Sequence, residues 1–186
     1  MTRWESDASG RLQQAALELF VEHGYDRTTV ADIAAKAGLT ERTFFRHYAD
    51  KREVLFDRSH ALEHLLSEAV AAAPASAGPM EAIGAALAST VPFFEARRGF
   101  ARQRQAVIAA NTELQERELI KLASLAGAIA LALQQRGVKG PAARLAADAG
   151  IAAFRIAFER WTTASRPPAL TSAIRAALAD LRAVIA

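Results

Sequence analysis

The sequence of 186 residues contains no cysteine and has no long apolar run. The absence of cysteine excludes disulfides, thiolate zinc sites and a thiol nucleophile, and it fits a reducing compartment. The longest weakly polar stretch, LASLAGAIALAL at 122–133, is far shorter than the roughly 20 residues that a membrane-spanning helix requires. The opening MTRWESDASG lacks the apolar core of a signal peptide. We therefore expect a soluble cytoplasmic protein without a membrane segment.

The net charge of +3 is small and unevenly distributed. Residues 1–60 hold nine Lys and Arg against ten Asp and Glu, whereas residues 61–186 hold fourteen against ten. The N-terminal part is thus slightly acidic in bulk. A nucleic-acid interface there must depend on where individual cations point, because the average charge would not attract phosphate.

Helix signals recur along the whole chain and predict an all-α fold of about nine helices. Alanine and leucine dominate the apolar residues, and no stretch is typical of a strand. Thr29 with Asp32 and Asp50 with Glu53 form capping-box patterns, and Gly38 ends a short helix. The predicted helices span about 9–23, 29–37, 40–48, 51–72, 79–97, 100–110, 112–136, 140–165 and 170 to the C-terminus. The Pro- and Gly-containing AAAPASAGP at 71–79 is the best candidate for a linker.

The segment LTERTFFRHYADK at 39–51 has two chemically different faces. At 100° per residue, Phe44 and Tyr48 share one face of a helix. That face can form a small core with apolar residues of the two preceding helices, namely Leu19, Phe20, Ile33, Ala34, Ala37 and Leu39. The opposite face carries Arg42, Thr43, Arg46 and His47, with Phe45 at its edge. We therefore expect two rings to anchor the helix and one to face outward.

Two short helices joined by a tight turn and preceded by a third helix describe a helix-turn-helix, whose second helix enters the DNA major groove. Arg42 or Arg46 can donate two hydrogen bonds to guanine, and Thr43 and Phe45 can contact thymine methyl groups. Phosphate contacts are expected from Thr29, Thr40, His47 and Lys51. The alternative is an ordinary amphipathic helix with a solvated basic face, in a helical module that does not bind DNA.

The stretch GYDRTTVADIAAKAGLTERTFFRHYADKREVLF resembles the N-terminal DNA-binding domain of the TetR family of bacterial repressors. The resemblance covers about residues 10 to 57. It implies DNA contacts from Thr29, Thr40, Thr43, Phe45, Arg46, His47 and Lys51, while Arg42 occupies a variable position that can tune the operator sequence. The family often has Tyr where this chain has Phe45, so a hydroxyl contact to phosphate is lost here.

The same resemblance implies the organisation of the whole protein. We expect a helix-turn-helix domain at 1–50 and a helical domain for effector binding and dimerisation at 51–186. The protein would be a ligand-responsive repressor without enzymatic activity or cofactor, and it would bind a palindromic operator in double-stranded DNA. The homodimer would form through the last two helices, where Leu170, Ile174, Leu178, Leu181 and Ile185 form one stripe and Ala149, Ala153, Ile156 and Arg160 another. The competing interpretation of both stripes is core packing within one subunit.

An effector site is expected between the middle helices. The candidate lining residues are Thr90, Phe93, Phe94, Phe100, Arg104, Ile108, Asn111, Phe158 and Trp161. Residues 100–130 are similar to the regulatory domain of mycofactocin-type regulators, which implies a small hydrophobic effector such as an acyl-CoA. Core packing is the alternative for each ring.

The segment HALEH at 60–64 matches the inverted zinc-protease pattern His-x-x-Glu-His. His60 and His64 are four residues apart and could bind one metal, with Glu63 as a base. No third ligand is evident in the sequence, so we predict neither a metal site nor catalysis. A metal-responsive regulator that uses His60 and His64 remains an alternative.

Overall fold

The computed structural model describes residues 3–57 and 59–185, and side chains over 8–57 and 60–184. Within these ranges the regular structure is helical, which confirms the all-α prediction. The helices are α1 Arg3–His23, α2 Val30–Lys36, α3 Glu41–His47, α4 Ser59–Ala72, α5 Pro79–Ser89, α6 Val91–Glu95, α7 Arg98–Ala109, α8 Thr112–Gln135, α9 Gly140–Thr163 and α10 Leu170–Ile185, with a 3-10 turn at Glu53–Leu55.

The helix predicted at 51–72 begins only at Ser59. Val54, Leu55 and Phe56 are consecutive and all buried. The carbonyl of Leu55 accepts from Arg104 at 2.8 Å, and the Phe56 ring lies 4.7 Å from the same guanidinium. Contacts with a distant segment therefore hold this part of the chain, although the local pattern favours a continuous helix.

The helix predicted at 79–97 is divided into α5 and α6 at Thr90. Pro92 has no amide proton for the helical hydrogen bond to residue 88, which favours a break there. Thr90 is buried and donates its hydroxyl to the carbonyl of Leu87 at 2.7 Å. The Thr90 side chain therefore supplies a hydrogen bond to one of the carbonyls in the last turn of α5.

The predicted linker at 71–79 connects α4 to α5 and is held in place by hydrogen bonds from one arginine. The guanidinium of Arg136 donates to the carbonyl of Ala73 at 2.6 Å and to that of Pro74 at 2.7 Å. Weaker contacts reach the carbonyls of Ala71 and Ala77. The segment lies within one compact unit, so it does not separate two domains.

The chain forms two compact units. The smaller unit combines the chain up to Asp57 with Arg102–Glu118, and the larger unit combines Arg58–Ala101 with Leu119 onward. Residues 102–118 pack with the N-terminal helices, which no local sequence pattern indicates. The division into functional domains at residue 50 remains a prediction.

The larger unit has a continuous apolar core to which α5, α8, α9 and α10 contribute. Leu170, Ile174 and Leu178 are buried in this core, so their stripe reflects core packing within one subunit. Leu181 is partly buried against the same core, and the side chain of Ile185 lies outside the described residues. A dimer contact of the last two helices must use a different face.

Candidate nucleic-acid interface

The first three helices form a core that holds α3 by one face. Phe44 is fully buried and Tyr48 is 3% exposed, which confirms the predicted anchors. Leu19, Phe20, Ile33, Ala34 and Ala37 are buried as well, as predicted. The position of α3 is therefore fixed by packing.

The turn between α2 and α3 depends on Gly38, whose φ of +65° lies in the left-handed region. Its amide donates to the carbonyl of Ala35, and the amide of Leu39 donates to that of Ala34 at 2.9 Å. This pair of bonds is a Schellman motif, in which glycine avoids the steric penalty of a Cβ atom. The motif ends α2 and directs the chain into α3.

Threonine caps begin both helices of the motif. The hydroxyl of Thr29 accepts from the amide of Asp32 at 3.1 Å, and the Asp32 carboxylate accepts from the amide of Thr29. These bonds confirm the predicted capping box. The Thr29 hydroxyl also donates to the Asp32 carboxylate at 2.6 Å, and this bond, together with that from the Thr29 amide, holds the pKa of Asp32 below its usual value. Thr40 caps α3 by accepting from the amide of Thr43 at 3.2 Å. Both caps are exposed, so the N-termini of the two helices lie at the surface, where the predicted phosphate contacts require them.

The opposite face of α3 presents the side chains predicted to read bases. Arg42, Phe45 and Arg46 are exposed, and Thr43 is half-buried. Phe45 is 54% exposed although its ring packs edge-on against Phe44, with centroids 5.6 Å apart. A large ring held outward by a buried neighbour gives an apolar surface of fixed orientation.

His47 is only partly available for a phosphate. Its Nε2 atom is buried and has no hydrogen-bond partner in the structure. A phosphate contact from His47 therefore requires its other ring nitrogen or a rotation of the ring. The contact remains a prediction.

Lys51 has a role that the sequence did not indicate. Its ammonium group donates to the carbonyls of Tyr25 and Thr28, at 2.8 and 3.2 Å, and lies 4.1 Å from the centre of the Tyr25 ring. An ammonium group has three donors, so one remains for the predicted phosphate. Lys51 thus ties the start of α2 to the segment after α3.

Replacing Lys51 by alanine is expected to weaken binding to all DNA sequences about equally. Loss of one phosphate contact should lower the slope of log affinity against log salt by about 0.9 per subunit. Titrations with operator and random duplex at several salt concentrations measure this slope. Lys139→Ala, which removes an exposed charge outside the smaller unit, is the control. An unchanged slope in Lys51→Ala would show that Lys51 makes no phosphate contact.

A second polar cluster joins α1 to the end of α3. The hydroxyls of Ser9 and Tyr48 are 2.9 Å apart. The Asp57 carboxylate accepts from Ser9 at 2.7 Å and from Gln13 at 3.1 Å. Burial raises the pKa of Tyr48 to about 12, so its hydroxyl stays protonated. The partners are up to 48 residues apart, and local sequence patterns therefore do not reveal the cluster.

The residues predicted to line the effector site do not lie together. In the larger unit, Phe94 lies 5.1 Å from Phe93 and 4.9 Å from Phe158, whose ring lies 5.5 Å from Trp161. Phe154, which was not predicted, packs against both Phe94 and Phe158. These rings form the aromatic cluster of the larger unit.

The other candidates have different surroundings. Arg104, Ile108 and Asn111 belong to the smaller unit. Asn111 donates its amide to the carbonyl of Val107 at 2.6 Å, which closes the turn between α7 and α8. Phe100 packs under the guanidinium of Arg97 at 4.4 Å. A proposal for an effector site therefore rests on the aromatic cluster.

The histidines of HALEH are paired with carboxylates on their own helix. His60 lies 3.2 Å from Glu63, and His64 lies 3.1 Å from Glu68. Glu63 also accepts from the hydroxyl of Ser124. Among the described residues, no group of three or more potential His, Cys, Asp or Glu ligands could hold a metal. In the same part of the chain, no helix combines the length and apolarity needed to cross a bilayer.

A short capped helix, buried on one side and presenting arginines and an aromatic ring on the other, defines a helix-turn-helix DNA-binding unit. Residues 12–57 match the family model of bacterial regulatory proteins of the tetR family. The helix-turn-helix segment of this chain is thus similar to the corresponding segment of that family.

Individual regulators share part of their sequence with this chain. The transcriptional regulator TcmR of Streptomyces glaucescens is 40% identical over 76 residues, which is 41% of this chain and 34% of TcmR. MftR of Mycobacterium tuberculosis, assigned to the regulation of mycofactocin biosynthesis, is 40% identical over 52 residues, or 28% of this chain and 26% of MftR. The chain thus aligns with about a third or less of these relatives.

Solved structures share this fold over nearly the whole length of the chain. FadR from Bacillus subtilis, a transcriptional regulator solved in complex with stearoyl-CoA, has a TM-score of 0.64 and 19% identity. The superposition covers 92% of this chain and 96% of FadR. At this identity, the likeness concerns the fold alone.

Proposed function

We propose that this protein is a ligand-responsive transcriptional repressor that binds a palindromic operator as a homodimer. The observation that carries the proposal is the presentation of α3, which is fixed by the buried Phe44 and exposes Phe45 and Arg46 on its other side. DNA as the partner also places the protein in the cytoplasm. The proposal includes no catalytic step.

In the proposed complex, each α3 lies in a major groove. Arg46 or Arg42 donates to guanine, and Phe45 and Thr43 contact thymine methyl groups. Phosphates on either side bind Thr29, Thr40, His47 and Lys51, which fix the position of the protein but read no sequence. A single helix contacts few base pairs, and a symmetric dimer doubles the site.

The dimer is proposed to use the outer face of α9 and α10. Exposed apolar side chains on that face include Leu145 at 73%, Ile156 at 45% and Val184 at 83%. Ala152, Ala176 and Ala179 are exposed as well and would allow close helix approach. This face replaces the stripe of Leu170 and Ile174, which is occupied by the core.

Ile156→Glu is expected to raise the dimer dissociation constant by at least about thirtyfold, because each copy would bury a carboxylate. Sedimentation velocity measures the change. Leu131→Glu on α8, which alters another exposed apolar residue, should leave the dimer intact. A dimer of unchanged affinity in Ile156→Glu would place the interface elsewhere.

The proposed effector is a small hydrophobic molecule of the acyl-CoA type. The aromatic cluster of Phe94, Phe154, Phe158 and Trp161 supports an apolar group, and the guanidinium of Arg98 lies 5.7 Å from the Trp161 ring. The complex of FadR with stearoyl-CoA is consistent with this chemistry. An effector releases the operator only if it binds the DNA-free conformation more tightly than the DNA-bound one.

The first test is selection of bound sequences from random duplex DNA with the full-length protein at physiological salt, where non-specific binding is weak. We expect a palindrome. That operator then allows a screen of acyl compounds for release of the protein. Failure to enrich any sequence, with protein purified free of bound small molecules, would contradict the proposal.

A further inference from the structure

Residues Arg102–Glu118, here termed the brace, comprise the end of α7, a short turn and the start of α8. Although they follow the N-terminal helices by more than forty residues, they belong to the same compact unit. Val107, Ile108 and Leu114 of the brace are buried. The brace is therefore an integral part of the DNA-binding unit, and the family model at 12–57 does not include it.

The brace binds the segment that follows α3 through two arginines. Arg117 makes a bidentate ion pair with Glu53, in which Nη2 and Oε2 are 2.9 Å apart. Arg104 donates to the carbonyl of Leu55 at 2.8 Å, and its guanidinium lies 4.7 Å from the centre of the Phe56 ring. Planar bidentate pairing and ring stacking are properties of arginine that lysine lacks. These contacts hold the first and the last residue of the 3-10 turn.

Arg104 is itself held in place. It pairs with Glu118 at 3.2 Å, and both side chains are about one-fifth exposed. A partly buried cation with a carboxylate, a carbonyl and a ring as partners has little freedom to move. The brace thus offers a rigid surface to residues 53–56.

A third contact connects the brace with Lys51. The hydroxyl of Tyr25 points to the carboxylate of Glu113, at 3.4 Å. The ring and the carbonyl of the same Tyr25 receive the ammonium group of Lys51. Lys51 therefore lies between two elements that contact the brace, namely Tyr25 and the 3-10 turn at Glu53–Leu55.

We propose that the brace is a positioning element for DNA binding: it fixes the turn at Glu53–Leu55 and the adjacent Lys51 in the geometry that phosphate contact requires. It acts without touching DNA. The inference rests on the proposed function and adds a route for its regulation. Helix α7 begins before the brace and α8 ends after it, so a displacement of either helix changes the contacts on Glu53 and Leu55.

The test reverses the Arg117–Glu53 pair in the full-length protein. Arg117→Glu and Glu53→Arg should each lower affinity for the selected operator by roughly tenfold or more, and the double variant should recover most of it. Arg144→Glu, Asp148→Arg and their combination alter an exposed ion pair on α9 with the same changes of charge. They control for the electrostatic effect on DNA attraction.

A second readout distinguishes positioning from a general loss of structure. Each variant is measured for operator and random duplex binding at several salt concentrations, well below its melting temperature, together with hydrogen exchange of residues 24–30 and 51–57. Positioning of a phosphate contact predicts faster exchange in these segments and a smaller slope of log affinity against log salt in the single variants, for operator and random duplex alike. Operator affinity equal to that of the Arg144 and Asp148 controls, or a double variant as weak as the singles, would overturn the inference. Failure of the wild-type protein to select DNA would instead refute the proposed function.

Discussion

Arg46→Ala is expected to lower operator affinity by about 1–3 kcal/mol for each half-site and to relax base preference at one position of that half-site. Arg46 is exposed on α3, whose opposite face is fixed by Phe44. A guanidinium in this place can donate to both O6 and N7 of guanine. Because the dimer is symmetric, the loss should affect two positions related by the palindrome.

The measurement repeats the selection from random DNA with the variant and compares base frequencies and dissociation constants. Arg144→Ala, which removes an exposed arginine from α9, controls for the change of net charge. A reduction that is equal at all sequences would identify Arg46 as a phosphate contact. If both Arg46→Ala and Lys51→Ala bind the operator like the wild type, the assigned DNA contacts are wrong.

Gly150→Val is expected to destabilise the larger unit by about 3 kcal/mol, because there is no room for a side chain between α5 and α9. A Cβ atom at Gly150 would lie 2.5 Å from Cγ2 of Ile83. Ile83 is fully buried, and as a β-branched residue in a helix it has one strongly preferred rotamer. The helices must therefore separate to accommodate the valine.

Gly127→Val is the matched control, since no atom lies within 4 Å of a Cβ atom built there. It should change stability by less than about 0.5 kcal/mol, because valine is slightly better than glycine inside a helix. Denaturant unfolding of both variants gives the comparison. Ile83→Ala should recover part of the loss in Gly150→Val, and equal stability of the two valine variants would refute the close approach.

The features that were predictable from sequence are those determined by neighbouring residues. Thr29 with Asp32, the cap at Thr40 and the left-handed Gly38 each act within a few positions. The same holds for Phe44 and Tyr48, because four residues make one helical turn. The resemblance to a known family then supplied the functional meaning of the exposed residues.

The sequence-based predictions that were wrong have a common physical cause, which is contact between distant segments of the chain. The 3-10 turn before α4 is held by contacts of Glu53 and Leu55 with the brace, although the local pattern favours a continuous helix. Arg104 was assigned to an effector because its sequence neighbours, such as Arg102, Gln103 and Gln105, give no sign of its partners. Its contacts with Leu55 and Phe56 join positions about fifty residues apart.

The dimer stripe shows the limit of periodicity. Leu170, Ile174 and Leu178 have the spacing of one helix face, and this spacing is identical for an intramolecular core and an interface. The structure places them against the core of the larger unit. Only the exposed positions of α9 and α10 then remain for a partner.

Methylation interference on the selected operator tests the placement of α3 most directly. Methylation of guanine N7 blocks contacts in the major groove, where an arginine donates to that atom. We predict interference at guanines in two symmetric patches whose centres are about one helical turn, or a small multiple of it, apart, and its loss in Arg46→Ala at the guanine that Arg46 contacts. Binding that is insensitive to N7 methylation throughout the operator would contradict major-groove recognition by α3.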